Sequence, residues 1–152
     1  MKIAFSGSKE INSQISDVRN FLKDPASVAS CIPDTDGFSQ SGQSEFIVKV
    51  GMTIGGLRGT FDLKASISEQ PGGQITFDIG GGGIYGTVKI SLAIILKDMG
   101  SNTTMDWNAT MELNGIVSGL GEDLLRRFSE EKIGAILANM KSNVEKKAAQ
   151  AK

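Results

Sequence analysis

The sequence predicts an α+β fold in which a curved antiparallel sheet of about seven strands wraps around a long C-terminal helix. Apolar and polar residues alternate with a period of two through most of residues 46–113, as in strands that have one solvated face. Helical patterns flank this segment: a short pair before it and a long one over about residues 118–147. Wrapping the sheet around the last helix is the simplest way to bury every apolar face, and we expect a single domain over residues 1–152.

The N-terminal third predicts one strand and two short helices. Residues 1–11 alternate as a strand, and the period becomes helical from Asn12. Asp24-Pro25 is typical of an N-cap followed by proline at the first helical position, so it predicts the start of a second helix. That helix is expected to end at Cys31-Ile32-Pro33, where the cysteine is expected to be a buried, inert thiol.

Six strands are predicted next, of which the first, near Phe38, has the weakest pattern. Gly55-Gly56 predicts a two-residue hairpin turn, because such turns need positive φ angles. Pro71-Gly72-Gly73 and the four glycines at 80–83 predict two further turns. Neither the glycines at 80–83 nor Gly55-Gly56 with Gly59 open a helix, so neither cluster indicates a phosphate-binding loop.

The closing helix carries two apolar stripes that are about 160° apart around its axis, at 100° per residue. We expect the second stripe to cross the concave face of the sheet and the two short helices to cover the first. A contact with a partner or a membrane is the alternative for the first stripe. The stripes are Val117, Leu120, Leu124 and Phe128, and then Ile133, Ile136, Met140 and Val144.

Composition excludes several classes of function. The chain has no histidine and one cysteine, which removes histidine-dependent catalysis and cysteine-rich metal sites, so we expect no metal and no cofactor. A net charge of −1 without a basic cluster argues against nucleic acid as a partner. The longest apolar run is residues 92–96, too short to span a membrane, and the N-terminus is too polar for a signal peptide. We therefore expect a cytoplasmic protein.

The predicted inner face of the sheet carries no charge but includes several methionines and two glycines, Gly59 and Gly86, which we expect to remove side-chain volume there. Two interpretations stay open: a solid core with bends, or an apolar cavity between sheet and helix, which we favour. The expected ligand-binding residues are Val50, Met52, Phe61, Leu63, Gly86, Ile90, Leu92, Trp107, Met111, Ile136 and Met140. The carboxylates Asp62, Asp106 and Glu112 alternate to the outer face and do not form a paired-carboxylate site.

Several strings carry a resemblance to a known family. They are Asp24-Pro25, Cys31-Ile32-Pro33, residues 48–51 with Gly59-Thr60, and Trp107-Asn108-Ala109 with Gly115, Gly119, Leu120 and Gly121. On these the chain resembles the carbon monoxide dehydrogenase G-subunit family, within the START-like helix-grip superfamily that includes birch-pollen-allergen-like proteins and polyketide cyclases. Asp34 stands where the family usually has glycine. Longer members have a further C-terminal segment linked to membrane attachment, so for a chain ending at Lys152 we expect membrane contact to be peripheral at most.

The resemblance implies a helix-grip fold that encloses an apolar cavity. It also implies an accessory protein to a carbon monoxide dehydrogenase-like molybdenum oxidoreductase, which binds an apolar lipid-like, isoprenoid or quinone-like molecule and catalyses nothing itself. Two alternatives remain from the residues. One is a cyclase-like enzyme acting on a hydrophobic small molecule, which needs polar groups inside the cavity, and the other is a ligand-free assembly factor with a filled core.

Overall fold

A seven-stranded antiparallel sheet curves around one long helix in the computed structural model, which describes residues 1–150. The last two residues of the expected domain, 151 and 152, lie outside the described residues. In chain order the elements are β1 (Lys2–Ile11), α1 (Ile15–Leu22), α2 (Pro25–Ala29), β2 (Thr35–Gly42), β3 (Glu45–Ile54), β4 (Leu57–Glu69), β5 (Ile75–Gly83), β6 (Gly86–Asp98), β7 (Thr103–Asn114), a 3₁₀ helix (Ile116–Leu120) and α3 (Glu122–Gln150). The predicted fold class is confirmed.

The strands lie in the order β1-β7-β6-β5-β4-β3-β2, so β1 and β2 form the two edges. Every neighbouring pair is antiparallel, and β2 to β7 follow each other as a meander. The helices α1 and α2 connect one edge of the sheet to the other. Since α1 contacts β6 and α3, and α2 contacts β3, both helices pack on the face that α3 also covers.

The local signals at the start of α2 and in the first hairpin are confirmed. The Asp24 carboxylate accepts a hydrogen bond from the Ser27 backbone N–H at 3.2 Å, and Pro25 opens the helix. Gly55 and Gly56 have φ angles of 54° and 85°, which a two-residue hairpin turn requires.

The predicted turn at residues 80–83 is wrong, because these glycines continue β5. The turn consists of Ile84-Tyr85, between Gly83 and Gly86. A Cβ built on Gly81 would overlap the carbonyl oxygen of Asp62 in β4. Because these residues are glycines, β5 can approach β4 closely here. The strand therefore continues to Gly83, beyond its last apolar residue Ile79.

The prediction of two opposite stripes on the closing helix is also wrong. Gly121, with a φ of 98°, separates the 3₁₀ helix from α3, so the period counted from Val117 does not continue into the helix. A single buried stripe runs along α3: Leu125, Phe128, Ser129, Ile133, Leu137, Met140 and Val144.

The short helices pack on the C-terminal half of α3 and not on the first predicted stripe. The Asn139 side-chain amide donates to the Cys31 carbonyl oxygen at 2.9 Å, directly after α2. Leu120 and Leu124 lie instead against the hairpin turn at Gly55. No helix among the described residues is long and apolar enough to cross a membrane.

Candidate functional site

An apolar cavity lies between the concave face of the sheet and the middle of α3. It lies towards the end of the sheet where the β3–β4 and β5–β6 turns are found. The cavity volume is about 40 Å³. Because one buried water needs roughly 10–15 Å³, this space corresponds to about three waters. A larger apolar molecule must therefore displace side chains as it enters.

The opposite half of the concave face is filled by the short helices. Glu69, at the end of β4, forms ion pairs with Arg19 of α1 at 2.7 Å and with Lys23, directly after α1, at 3.0 Å. These contacts hold α1 at that end of the sheet, where its Phe21 and Leu22 are buried. The cavity is thus the part of the concave face that α1 and α2 do not reach.

Six of the eleven predicted site residues line this cavity. They are Val50, Met52, Leu63, Ile90, Met111 and Ile136. Val50, Leu63, Ile90 and Met111 are almost fully buried, whereas Met52 and Ile136 are half-buried. The positions of the five strand residues agree with the alternation from which they were predicted, and binding of a ligand by the six residues stays a prediction.

Four of the other predicted residues are placed elsewhere in the apolar interior. Phe61, Leu92 and Met140 are buried in the core, away from the cavity wall. Trp107 is half-buried over Gly7 of the edge strand β1, where a Cβ on Gly7 would stand 2.9 Å from the indole ring. Trp107 therefore packs across the β1–β7 pair against Gly7.

The expectation that Gly86 and Gly59 remove volume to open a cavity is wrong. Gly86 has a φ of 141°, and a Cβ there would overlap the carbonyl oxygen of Asn114. A Cβ on Gly59 would lie 3.1 Å from the Tyr85 ring. Both glycines permit close packing, so the space above them is already occupied.

Eight residues that the sequence reasoning missed also line the cavity. Ile79 and Val88 continue the inward alternation of β5 and β6, so the same signal was available for them. Phe128 was assigned to the wrong stripe. The others are Ile32, Pro33, Asp34, Gly51 and Lys132.

The rim of the cavity carries two opposite charges. Asp34 follows α2 in the left-handed conformation, with a φ of 60°, and its carbonyl oxygen accepts a hydrogen bond from the Gly51 N–H at 3.0 Å. The Lys132 ammonium lies 3.5 Å from the Asp34 carboxylate and 5.6 Å from the centre of the Phe128 ring. Asp34 and Lys132 are the charged side chains among the described residues that line the cavity.

The single thiol lies outside the cavity. Cys31 is fully buried, and this burial raises its pKa from 9.0 to about 11, although hydrogen bonds from Ser30 and Asn143 lower it. A thiol with so high a pKa stays protonated at neutral pH and is a poor nucleophile. The prediction of a buried cysteine is confirmed.

Two of the three outer-face carboxylates, Asp106 and Asp62, form ion pairs with lysines on the neighbouring strands. Lys97 approaches Asp106 at 2.8 Å, and Lys49 lies 4.0 Å from Asp62. The hydrogen bond from Lys97, together with one from Ser8, holds the pKa of Asp106 below its usual value. Within residues 1–150 no group of three His, Cys, Asp or Glu side chains is arranged to hold a metal ion.

A sequence profile for the G subunit of carbon monoxide dehydrogenase (CoxG) matches residues 7–145. The chain belongs to the CoxG family. The sequence-based resemblance to this family is confirmed, and the match includes all strands from β2 to β7 and most of α3. A search of curated protein sequences finds no significant match to this chain.

Solved structures similar to this CoxG-family chain share its helix-grip fold. A conserved protein from Geobacillus kaustophilus aligns with a TM-score of 0.83 and 19% identity, over 95% of this chain and 96% of that one. A START superfamily protein from Mycobacterium smegmatis aligns with a TM-score of 0.67 and 14% identity, over 98% of this chain and 99% of that one. The ZhuI aromatase/cyclase from Streptomyces sp. R1128 aligns with a TM-score of 0.66 and 14% identity, over 99% of this chain and 95% of that one. At these identities the likeness shows the fold alone.

Proposed function

We propose that this protein binds an apolar small molecule between its sheet and α3 and does not transform it. In this proposal the ligand is lipid-like, isoprenoid or quinone-like, and the protein is a cytoplasmic accessory to a carbon monoxide dehydrogenase-like molybdenum oxidoreductase. Membership of the CoxG family supports the link to such an enzyme. The observation that carries the proposal is the cavity itself, whose lining by the described residues is apolar apart from two charged side chains at its rim.

The physical reason is the cost of wetting such a space. Water inside an apolar cavity lacks hydrogen-bond partners, so the cavity stays dry and accepts apolar groups. Met52 and Ile136 are half-buried at the wall, and Met52 is a flexible side chain that fills irregular gaps. Displacement of these two side chains would enlarge the cavity at little cost to the fully buried core.

A cyclase-like enzyme is the second candidate, because an aromatase/cyclase has the same fold. Such an enzyme needs a polar group in contact with the bound molecule. Deep in the cavity the described walls are formed by residues such as Leu63, Ile79 and Met111. They offer no group that could transfer a proton, which favours binding over catalysis.

A neutral apolar fluorophore such as phenylnaphthylamine tests the proposal. We expect it to bind the purified protein with a ratio near one to one and to bind Ile136→Trp much more weakly, because the larger side chain fills the cavity. Ile84→Trp is the matched control: Ile84 is 80% exposed in the β5–β6 turn, so its exchange should leave binding unchanged. Absence of binding to the native protein, or equal binding to Ile136→Trp, would contradict the proposal.

Native mass spectrometry of protein purified from its own host complements this test. A retained ligand would appear as a mass added to the intact chain, and its release and fragmentation would give its chemical class. A ligand recovered in altered form after incubation with the protein would favour the cyclase-like alternative.

A further inference from the structure

The cavity opens onto a polar groove on the surface, and the two spaces share a wall. Asp34, Gly51, Met52 and Lys132 border both of them. The groove adds two exposed charged side chains: Arg58, on the strand that follows the β3–β4 turn, and Asp36, near the start of β2. A molecule that bridges the cavity and the groove therefore has apolar surroundings at one end and charged surroundings at the other.

Lys132 stands at the boundary between these surroundings. It lies one helical turn after Phe128 and one turn before Ile136, so the three side chains share one face of α3, and all three line the cavity. The Lys132 side chain is 28% exposed, whereas that of Asp34 is 61% exposed. The Lys132 side chain is therefore the more buried partner of the pair, and the Asp34 side chain is the more exposed one.

The Lys132 ammonium has donors to spare for a bound molecule. An ammonium carries three N–H donors. Among the described residues its hydrogen bond goes to the Asp34 carboxylate at 3.5 Å, which is long for a charge-assisted bond, since these are typically about 2.7–2.9 Å. A ligand oxygen that reaches this point would gain a closer contact than Asp34 provides.

We propose that the ligand is an amphiphile with a carboxylate head, and that Lys132 binds this head while the apolar part occupies the cavity. This inference rests on the proposed function, since it places the head of the same ligand. Arg58 and Asp36 add one positive and one negative charge to the groove and offset each other, so the preference for an anionic head comes from Lys132, the more buried charged side chain at the cavity mouth. Asp34 competes with the head for Lys132, so its carboxylate must move aside when the ligand binds.

Displacement of the bound fluorophore by three matched short-chain compounds tests the inference: octanoate, octanol and octylamine. We expect octanoate to compete best with the native protein. Lys132→Met should weaken the binding of octanoate by about tenfold, which is the effect of losing a hydrogen bond to a charged group. The same variant should bind octanol with unchanged affinity. Lys132→Arg keeps the positive charge and should retain the preference for octanoate.

Two further variants separate a head-binding site from a general effect of charge. Lys146→Met makes the same change in net charge at an exposed position near the end of α3, and should alter none of the three affinities. Asp34→Asn removes the competing carboxylate and should increase the affinity for octanoate. Asparagine also adopts the left-handed conformation that Asp34 has, so the loop should be preserved. Thermal melting verifies that each variant stays folded.

The outcomes distinguish this inference from the proposed function. Binding of the fluorophore and of all three compounds with no effect of Lys132→Met would overturn the head site and leave the apolar cavity standing. A preference for octylamine would also overturn it, because Asp34 would then be the residue that binds the head. A native protein that binds neither the fluorophore nor any of the compounds would refute the proposed function itself.

Discussion

Truncation of Phe128 to alanine tests how the middle of α3 packs against the sheet. Phe128 is 9% exposed and borders the cavity, so removing its ring joins new empty volume to a space that already exists. Phe→Ala in a core costs about 3–5 kcal/mol. Because one side of the ring already faces a partly empty space, fewer packing contacts are lost, and we expect a loss of about 3 kcal/mol, the lower end of that range.

Phe38→Ala is the matched control, since it removes the same ring from the edge strand β2. Phe38 is 45% exposed and makes a tilted contact with Phe46, with the ring centres 6.0 Å apart. The loss there should be about 1 kcal/mol. For a domain of this size about 2–4 °C of melting temperature corresponds to each kcal/mol, so we expect a fall of about 6–12 °C for Phe128→Ala and about 2–4 °C for the control.

Urea unfolding of both variants measures the free energies, and fluorophore titration measures the second consequence. The enlarged cavity should bind the apolar fluorophore more tightly than the native protein does, as engineered apolar cavities bind small apolar molecules. If Phe128→Ala unfolds no more easily than Phe38→Ala, then Phe128 does not pack between α3 and the sheet. A destabilised variant with unchanged binding would refute the placement of Phe128 on the ligand's cavity.

Gly86→Ala should destabilise the protein by more than about 2 kcal/mol, because its φ of 141° is strained for other residues and a Cβ has no room. Gly119→Ala, with open space around it, should change the free energy of unfolding by under about 0.5 kcal/mol, and equal effects would contradict this reasoning. The Cys31 pKa is raised from 9.0 to about 11, so the unfolded thiol loses its proton first and stability should fall by about 2 kcal/mol as the pH rises from 9 to 11. The stability of Cys31→Ala should not show this fall between pH 9 and 11. An equal fall in both proteins would mean that Cys31 is not its cause. Exchange of one outer-face carboxylate for its amide should leave fluorophore binding unchanged, and lost binding would mean that the strand register is shifted by one residue. The three positions are Asp62, Asp106 and Glu112.

The sequence by itself was enough to predict the sheet, its order of strands along the chain and the cap of α2. Side chains on a strand alternate between its two faces, so a run such as residues 46–54 identifies its own buried face. Asp24-Pro25 and Gly55-Gly56 act through contacts within a few residues. For that reason the local sequence alone is enough to predict the helix start and the hairpin turn. The same alternation was enough to place Val50, Leu63 and Ile90 on the concave face.

Only the tertiary structure decided which buried side chains border empty space. Periodicity indicates that one face of an element is buried, but not which other element packs on that face. The packing partner depends on contacts between distant parts of the chain. Leu92 and Ile90 follow the same alternation in β6, yet Ile90 borders the cavity and Leu92 belongs to the closed core. Lys132 had no signal of its own as a rim residue, because its role depends on Asp34, almost a hundred residues earlier and on the other side of the cavity mouth. The cavity exists where α1 and α2 end, and their reach is set by how they pack on α3 and the sheet.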